Sequence, residues 1–229
     1  RLSSDHVFAL VLWGLLGGLL CAKLLYWITE WKSIIADPGF ILDTLPDGFV
    51  IYGGILGGIL AGWIYCKSKK VDFWKYFDLV MPSVALAQGF GRIGCFLAGC
   101  CYGRPTDSVF GVVFPEDSLA PAGIKLIPTQ LISAVGDFAI AIILIILADV
   151  VFKKAKESSL KAKTGFGMVS GDIGCIYMFL YGIGRFLVEF LRNDVRGTVG
   201  NLSTSQFISL FIVAGSIILY VINHKKASA

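Results

Sequence analysis

Six long apolar runs, at roughly 6–29, 48–66, 76–101, 129–152, 166–191 and 204–223, constrain this chain more than any other feature. One helix needs about 20 apolar residues to cross the hydrocarbon layer of a bilayer. A soluble domain surrounds one core with charge, about a quarter of its residues. Here only 16% of the 229 residues are charged and 56% are hydrophobic, and the charges sit in short gaps between the runs. Mean hydropathy is +0.77. The pattern predicts an all-α, polytopic integral membrane protein, a single transmembrane domain over 1–229 with about six visible spans. No cleavage-site pattern follows the first run, so it is not a removable signal peptide.

Orientation follows from the lysines. Lys67, Lys69, Lys70 and Lys75 follow the second run; Lys153, Lys154, Lys156, Lys161 and Lys163 follow the fourth; Lys225 and Lys226 close the chain. The alternate gaps carry Glu30, Asp37, Asp43 and Asp47, then Asp107, Glu116 and Asp117, then Asp194. Basic gaps stay on the cytoplasmic side. The expected protein is therefore multi-pass in a bacterial inner membrane, with a cytoplasmic C-terminus. The net charge of +4 belongs to these flanks and implies no nucleic-acid partner.

Ionisable groups at membrane depth are costly and mark candidate sites. Tyr181, Arg185, Glu189 and Arg192 recur at intervals of four and three along the fifth run, and so share one helix face. Two arginines around one glutamate leave surplus positive charge, which suits an anionic lipid headgroup, because guanidinium grips phosphate bidentately. A packing ion pair with a snorkelling Arg192 is the plainer reading of the same residues. The third run ends in the glycine-rich stretch Gln88–Thr106, with Arg92 a helical turn or two below the membrane surface and Arg104 just beyond that surface, a second candidate anion site. Neither set of charges has local partners enough to be buried alone, so Arg92 and Arg185 are expected to converge.

The second run opens with the pairs Gly53-Gly54 and Gly57-Gly58, a smooth face for a neighbouring helix or a lipid chain. The 103–128 segment is too long for a plain connection and carries four prolines, which favours a lid, with a short strand at Val109–Phe114. Six cysteines are present, and their spacing fits no zinc pattern. Cys100 and Cys101 stand apart from the rest, beside polar residues at a helix end. With no phosphate-binding loop, histidine cluster or dinucleotide fingerprint, no cofactor and no metal are expected, and any chemistry belongs to the outer side.

At this point the residues resemble a family. The stretch Gly91-Arg92-Ile-Gly-x-Phe-x-x-Gly-x-x-x-Gly103-Arg104 is similar to the signature of the prolipoprotein diacylglyceryl transferases. Tyr52-Gly-Gly sits where that family has His-Gly-Gly, and Pro128-Thr129-Gln130 is similar to its His-Pro-Ser/Thr-Gln motif. Arg185-Phe-Leu-Val-Glu189-Phe-Leu-Arg192 is similar to its late Arg…Glu…Arg segment, and Ser205-Gln206 to its Gly-Gln. Gly17–Tyr26 looks like the end of its second helix, with Lys23 where an arginine is usual. The matches keep the family's order and cover nearly the whole chain.

The resemblance implies transfer of a diacylglyceryl group from phosphatidylglycerol to a cysteine thiol of a lipoprotein precursor, at the outer side of the inner membrane. Its partners would be that phospholipid and the precursor's signal peptide. Two departures matter. Tyr52 and Ile127 replace the family histidines, and Cys95 and Cys100 stand at or near its asparagine and acidic positions. Headgroup binding thus carries over better than thiol activation. Arg92, Arg185 and Glu189 are the expected catalytic residues, with Tyr52 in the base's place; Arg104, Arg192, Gln130 and Tyr181 are the expected substrate-binding residues. A phenol is a poor base at neutral pH unless nearby cations help it.

A second reading makes Cys100 or Cys101 the nucleophile of a phospholipid acyl transfer, through a thioester that can turn over. A third is a non-catalytic lipid-binding paralogue. The family has seven helices, and Leu2–Phe8 aligns with the start of its second. The resemblance therefore implies an upstream helix of about 20 residues before Arg1.

Overall fold

The computed structural model describes residues 3–157, 168–193 and 197–228. Lys161 and Lys163 of the fourth gap, and Asp194, lie outside them. In chain order the helices are α1 (Ser4–Thr29), α2 (Trp31–Ala36), α3 (Phe40–Asp43), α4 (Ile51–Lys69) and α5 (Phe73–Leu97). Strands β1 (Val112–Val113) and β2 (Lys125–Leu126) follow, then α6 (Thr129–Glu157) and α7 (Asp172–Glu189). Strands β3 (Thr198–Val199) and β4 (Leu202–Ser203) precede α8 (Thr204–Ser228). Each apolar run contains one long helix. Among the described residues, α1, α5, α6 and α8 are long and apolar enough to cross a membrane. Their number and the large exposed apolar surface make this a helical, multi-pass membrane protein. In α4, glycines and Lys67 and Lys69 dilute the apolar content; in α7, Asp172, Arg185 and Glu189 do so.

The chain forms two compact units, Arg1–Tyr76 and Phe77–Ala229. In the first, α1 packs on α4 through glycine. A Cβ added to Gly17 would stand 3.1 Å from the Gly57 carbonyl oxygen, and one added to Gly57 would collide with the Cys21 side chain. The glycine pairs are therefore a helix-packing face, since small residues let backbones approach where lipid gives no hydrophobic drive. Lys23 is 7% exposed. Its ammonium donates to the carbonyls of Thr44, Asp47 and Gly48 and lies 4.7 Å from the Phe49 ring centroid. Those carbonyls supply the acceptors that a buried ammonium with three donors requires.

In the second unit, α7 packs against both α6 and α8 around Met81, Ala85, Ala141, Leu144, Ile173 and Tyr177. Asp78 holds the start of α7. Its carboxylate accepts from Gly171 N at 2.6 Å and Gly174 N at 2.9 Å, satisfying amides that a helix N-terminus leaves open. His224 on α8 meets Asp172 at 3.0 Å. The long outer segment has its own small core of Phe114, Ala120 and Leu126, with Val112 paired to Leu126 in the β1–β2 ladder. The strand expected at Val109–Phe114 shrinks to Val112–Val113, because Gly111 N closes a turn on Ser108 O that leaves Val109 and Phe110 exposed. The β3–β4 hairpin, turning at Gly200 with φ 62°, has no apolar pattern to announce it.

Two glycines on α4 make a matched test. At Gly54 an added Cβ meets its nearest atoms at 3.6 Å, ordinary contact, whereas at Gly57 it strikes Cys21. Gly57→Ala should cost about 1–3 kcal/mol, the usual penalty of overpacking, and Gly54→Ala close to nothing. Thermal unfolding of the detergent-solubilised variants reads the difference.

Candidate active site

Three charged side chains gather at the end of α7. Arg185 and Glu189 share one face of the helix with Tyr181. Arg192, expected on that face, lies three residues past the helix end, where its backbone pairs with Gly103. Arg185 Nη1 lies 2.7 Å from Glu189 Oε2, and its Nη2 donates to Ser205 Oγ at 2.7 Å. Arg192 Nε stands 4.0 Å from the same Glu189 oxygen, with side-chain exposures of 4% and 7%. Ser205 and Gln206 are buried at the start of α8. Gln206 Oε1 accepts from Ser203 N while Ser203 Oγ accepts from Gln206 N, a reciprocal cap that fixes Ser205 beneath Arg185. Of the plainer reading, the Arg185–Glu189 ion pair is present, within one helix, but Arg192 does not snorkel: its side chain is only 4% exposed.

The pair is also one wall of a cavity. A space of about 60 Å³ is lined by Arg92 from α5, Ser133 and Asp137 from α6, and Tyr181 and Arg185 from α7. The two arginines separated by 93 positions in sequence thus line the same void. Asp137 is 6% exposed, and both guanidinium groups are near enough to act on its charge. Arg92 makes no ion pair among the described residues. Tyr177, a turn before Tyr181 and stacked on it at 5.9 Å, donates to Gln88 Oε1 at 2.7 Å. Asp137, Ser133 and Gln88 were not among the residues expected here. The rule that selects Arg92, an ionisable group inside an apolar run, selects Asp137 equally well.

Beyond Leu97 the chain doubles back. Gly99 has φ 68° and Cys101 has φ 63°, a left-handed conformation that costs an L-residue roughly 1–2 kcal/mol. Side chains from α6 hold that turn. Thr129 Oγ1 donates to Cys101 O at 2.8 Å and Gln130 Nε2 to Cys100 O at 2.7 Å. Gln130, expected on the substrate, has its amide nitrogen committed to the turn, while its Oε1 is buried with no hydrogen-bond partner among the described residues. Gly103 is where three segments meet: a Cβ there would lie 2.6 Å from Ile127 O and 2.8 Å from Leu191 O. Arg104 N donates to Leu191 O at 2.9 Å and Ile127 N to Arg104 O at 3.0 Å, leaving the Arg104 side chain exposed. The end of the glycine-rich stretch, the entry to α6 and the exit of α7 are thereby tied together.

The turn also gathers sulfur. Cys95, Cys100 and Cys101 are half-buried, none is in a disulfide, and their Sγ atoms all lie within 4.8 Å of one another. Burial, then the neighbouring thiols of Cys101 and Cys95, push the Cys100 thiol up to about 12. Burial and the adjoining thiols thus work against a thiolate there, which disfavours Cys100 as a free nucleophile. Tyr52 lies in the first turn of α4, in the first unit, 40% exposed.

Fold and site together define a multi-pass membrane protein that keeps arginine and carboxylate groups in a cavity between its helices. The family model for "prolipoprotein diacylglyceryl transferase" matches residues 1–222, and the chain belongs to that family. It is 48% identical over 224 residues to phosphatidylglycerol–prolipoprotein diacylglyceryl transferase 2 of Clostridium perfringens, covering 98% of this chain and 81% of that one. It is 48% identical over 221 residues to the Clostridium tetani transferase, covering 96% and 82%, and 34% identical over 226 residues to that of Finegoldia magna, covering 99% and 82%.

Removing one partner of a buried ion pair strands the other, at a cost of about 3–5 kcal/mol. Arg185→Ala should therefore lower the unfolding temperature sharply. Adding Glu189→Gln to that variant should recover part of the loss. A double-mutant cycle in thermal unfolding checks both.

Proposed function

We propose that this chain transfers the diacylglyceryl group of phosphatidylglycerol to a cysteine thiol of a lipoprotein precursor. The observation that carries the reading is the cavity where Arg92 and Arg185 meet. Arg92, Arg185 and Arg192 set three positive charges against the two of Asp137 and Glu189, a surplus of one. A phosphodiester carries one negative charge, so phosphatidylglycerol would leave the group neutral, as a low-dielectric site requires. The names of the relatives, all phosphatidylglycerol–prolipoprotein diacylglyceryl transferases, support the same substrate pair.

In the reaction, thiol sulfur attacks the glyceryl carbon that bears the phosphate. The C–S bond forms, the C–O bond breaks with its electron pair going to phosphate oxygen, and glycerol phosphate leaves. Arg92 and Arg185 stabilise charge gathering on that oxygen. Glu189 holds Arg185 in place, Arg192 completes the headgroup site, and Tyr181 lines the same cavity, while Arg104, exposed and outside that lining, would meet the headgroup only from solvent. Tyr52 holds the sequence position of the family's histidine, and the thiol proton passes to solvent water. The membrane arrangement that goes with this reading is six visible spans, a chemistry-bearing outer side with the 103–128 segment as lid, a signal-peptide acceptor and a cytoplasmic C-terminus.

The test uses Arg92, which no ion pair among the described residues ties into the fold. Arg92→Ala should cut transfer to an acceptor peptide by about 10²–10³-fold, the scale for losing one preorganised charge donor, with the unfolding temperature little changed. Arg92→Lys should restore only part, because an ammonium cannot grip phosphate bidentately. Undiminished thioether formation by Arg92→Ala would overturn the assignment.

A further inference from the structure

We propose that Cys95, Cys100 and Cys101 hold a zinc ion whose open fourth position receives the acceptor cysteine thiol. This role rests on the transferase reading above. It answers a question the arginine cavity leaves open, namely what deprotonates the acceptor where Tyr52 and Ile127 replace the histidines of the resembling family.

The geometry is that of a site rather than a coincidence of composition. Tetrahedral zinc with Zn–S bonds of about 2.3 Å places its sulfurs roughly 3.8 Å apart. The three Sγ atoms already lie within 4.8 Å of one another, so small rotations of the side chains close the set. Cys-x4-Cys-Cys matches no zinc spacing when read linearly. It becomes a cluster because the left-handed Cys101 folds the second pair back toward the helix end. That strained turn is clamped from both carbonyls by Thr129 and Gln130, an expense of polar contacts that a plain connection does not need.

Three protein ligands with one position left over is the arrangement of catalytic zinc, whereas structural zinc is closed by four. Thiolate donors select zinc, Cu(I) or iron–sulfur chemistry over hard cations. All three residues are half-buried rather than sealed in the core, which suits entry of a substrate thiol. Cys95 follows Arg92 by three residues on α5, so the cluster begins about one helical turn from a residue lining the cavity assigned to the phosphate.

The chemistry balances without any further reactant. Coordinated thiol loses its proton to water, because a metal-bound thiol is deprotonated outright. The sulfur electron pair then forms the C–S bond as the C–O bond breaks toward phosphate. The neutral thioether is a poor ligand and departs, and water returns to the metal.

The experiment takes the full chain in lipid nanodiscs, stripped with chelator and titrated with Co²⁺ as a spectroscopic stand-in for Zn²⁺. The expected result is one Co²⁺ per chain with thiolate charge-transfer bands, lost in Cys95→Ser and in Cys100→Ser but kept in Cys21→Ser and Cys175→Ser. An acceptor peptide with a single cysteine should shift the visible bands, and its serine counterpart should not. Protection of the three thiols from iodoacetamide by Zn²⁺ in the unmutated chain gives the same answer without relying on variants to fold. Absence of stoichiometric Co²⁺ binding, or binding unchanged in Cys95→Ser, overturns the metal site. Full-rate thioether formation by the metal-stripped chain overturns its catalytic role while leaving the transferase reading intact. A Co²⁺ site that takes up the acceptor thiol, in a chain that makes no thioether from phosphatidylglycerol, overturns the transferase reading instead.

Discussion

A charge inside the hydrocarbon layer must be neutralised by the protein itself, and the second unit is organised around meeting that condition. Glu189 sits between Arg185 and Arg192, Arg185 also donates to Ser205, and Asp137 answers the guanidinium groups from the neighbouring helix. α5, α6 and α7 line one cavity with these groups, and α8 joins through the Ser205 bond to Arg185. Apolar packing around Ala85, Leu144 and Ile173 fills the same helices without deciding their rotation. The polar groups decide it, since turning α7 by one residue would carry Arg185 and Glu189 off the shared face together.

Much of this organisation is legible in the sequence, because a membrane span is the strongest periodic signal a chain can carry. All six apolar runs contain long helices, and the spacing of Tyr181, Arg185, Glu189 and Arg192 already defines a face. Asp137 was as visible as Arg92, but its run reads as uniformly apolar and has no motif to draw attention to it. The β3–β4 hairpin and the short helices α2 and α3 were not visible. They lie in polar gaps, where local turns and tertiary contacts such as the Lys23 carbonyl cage outweigh any pattern of hydropathy.

The sulfur cluster shows most clearly what linear spacing hides. Residues five and six apart along a regular helix would not bring three side chains to one point. They meet because the helix stops at Leu97 and the backbone passes through left-handed geometry at Gly99 and again at Cys101. Glycine takes that conformation freely and cysteine does not. The conformation at Cys101 therefore has to be imposed, and Thr129 and Gln130 impose it through their hydrogen bonds to the two carbonyls. Gln130, whose motif resemblance suggested substrate contact, thus joins Thr129 in holding a backbone turn.

Placing the two chemical tasks on adjoining turns of α5 has a physical logic. An alkyl transfer from a phosphodiester needs positive charge at the departing oxygen and electron density at the attacking sulfur. Those needs conflict at one point, since a guanidinium group that stabilises the phosphate also draws charge from a nearby thiolate. Arg92 lines the cavity, while Cys95, one turn further on, belongs to the thiol cluster. The helix separates the groups by about 5 Å, one turn of rise, which is the scale on which a lipid headgroup and an attacking side chain can be held end to end. The glycines at 91 and 94 flank this stretch with no atom near enough to crowd an added Cβ, so room remains for a substrate chain along that side of the helix. The same short segment can then hold the leaving phosphate at one end and the attacking sulfur at the other, with the reacting carbon between them.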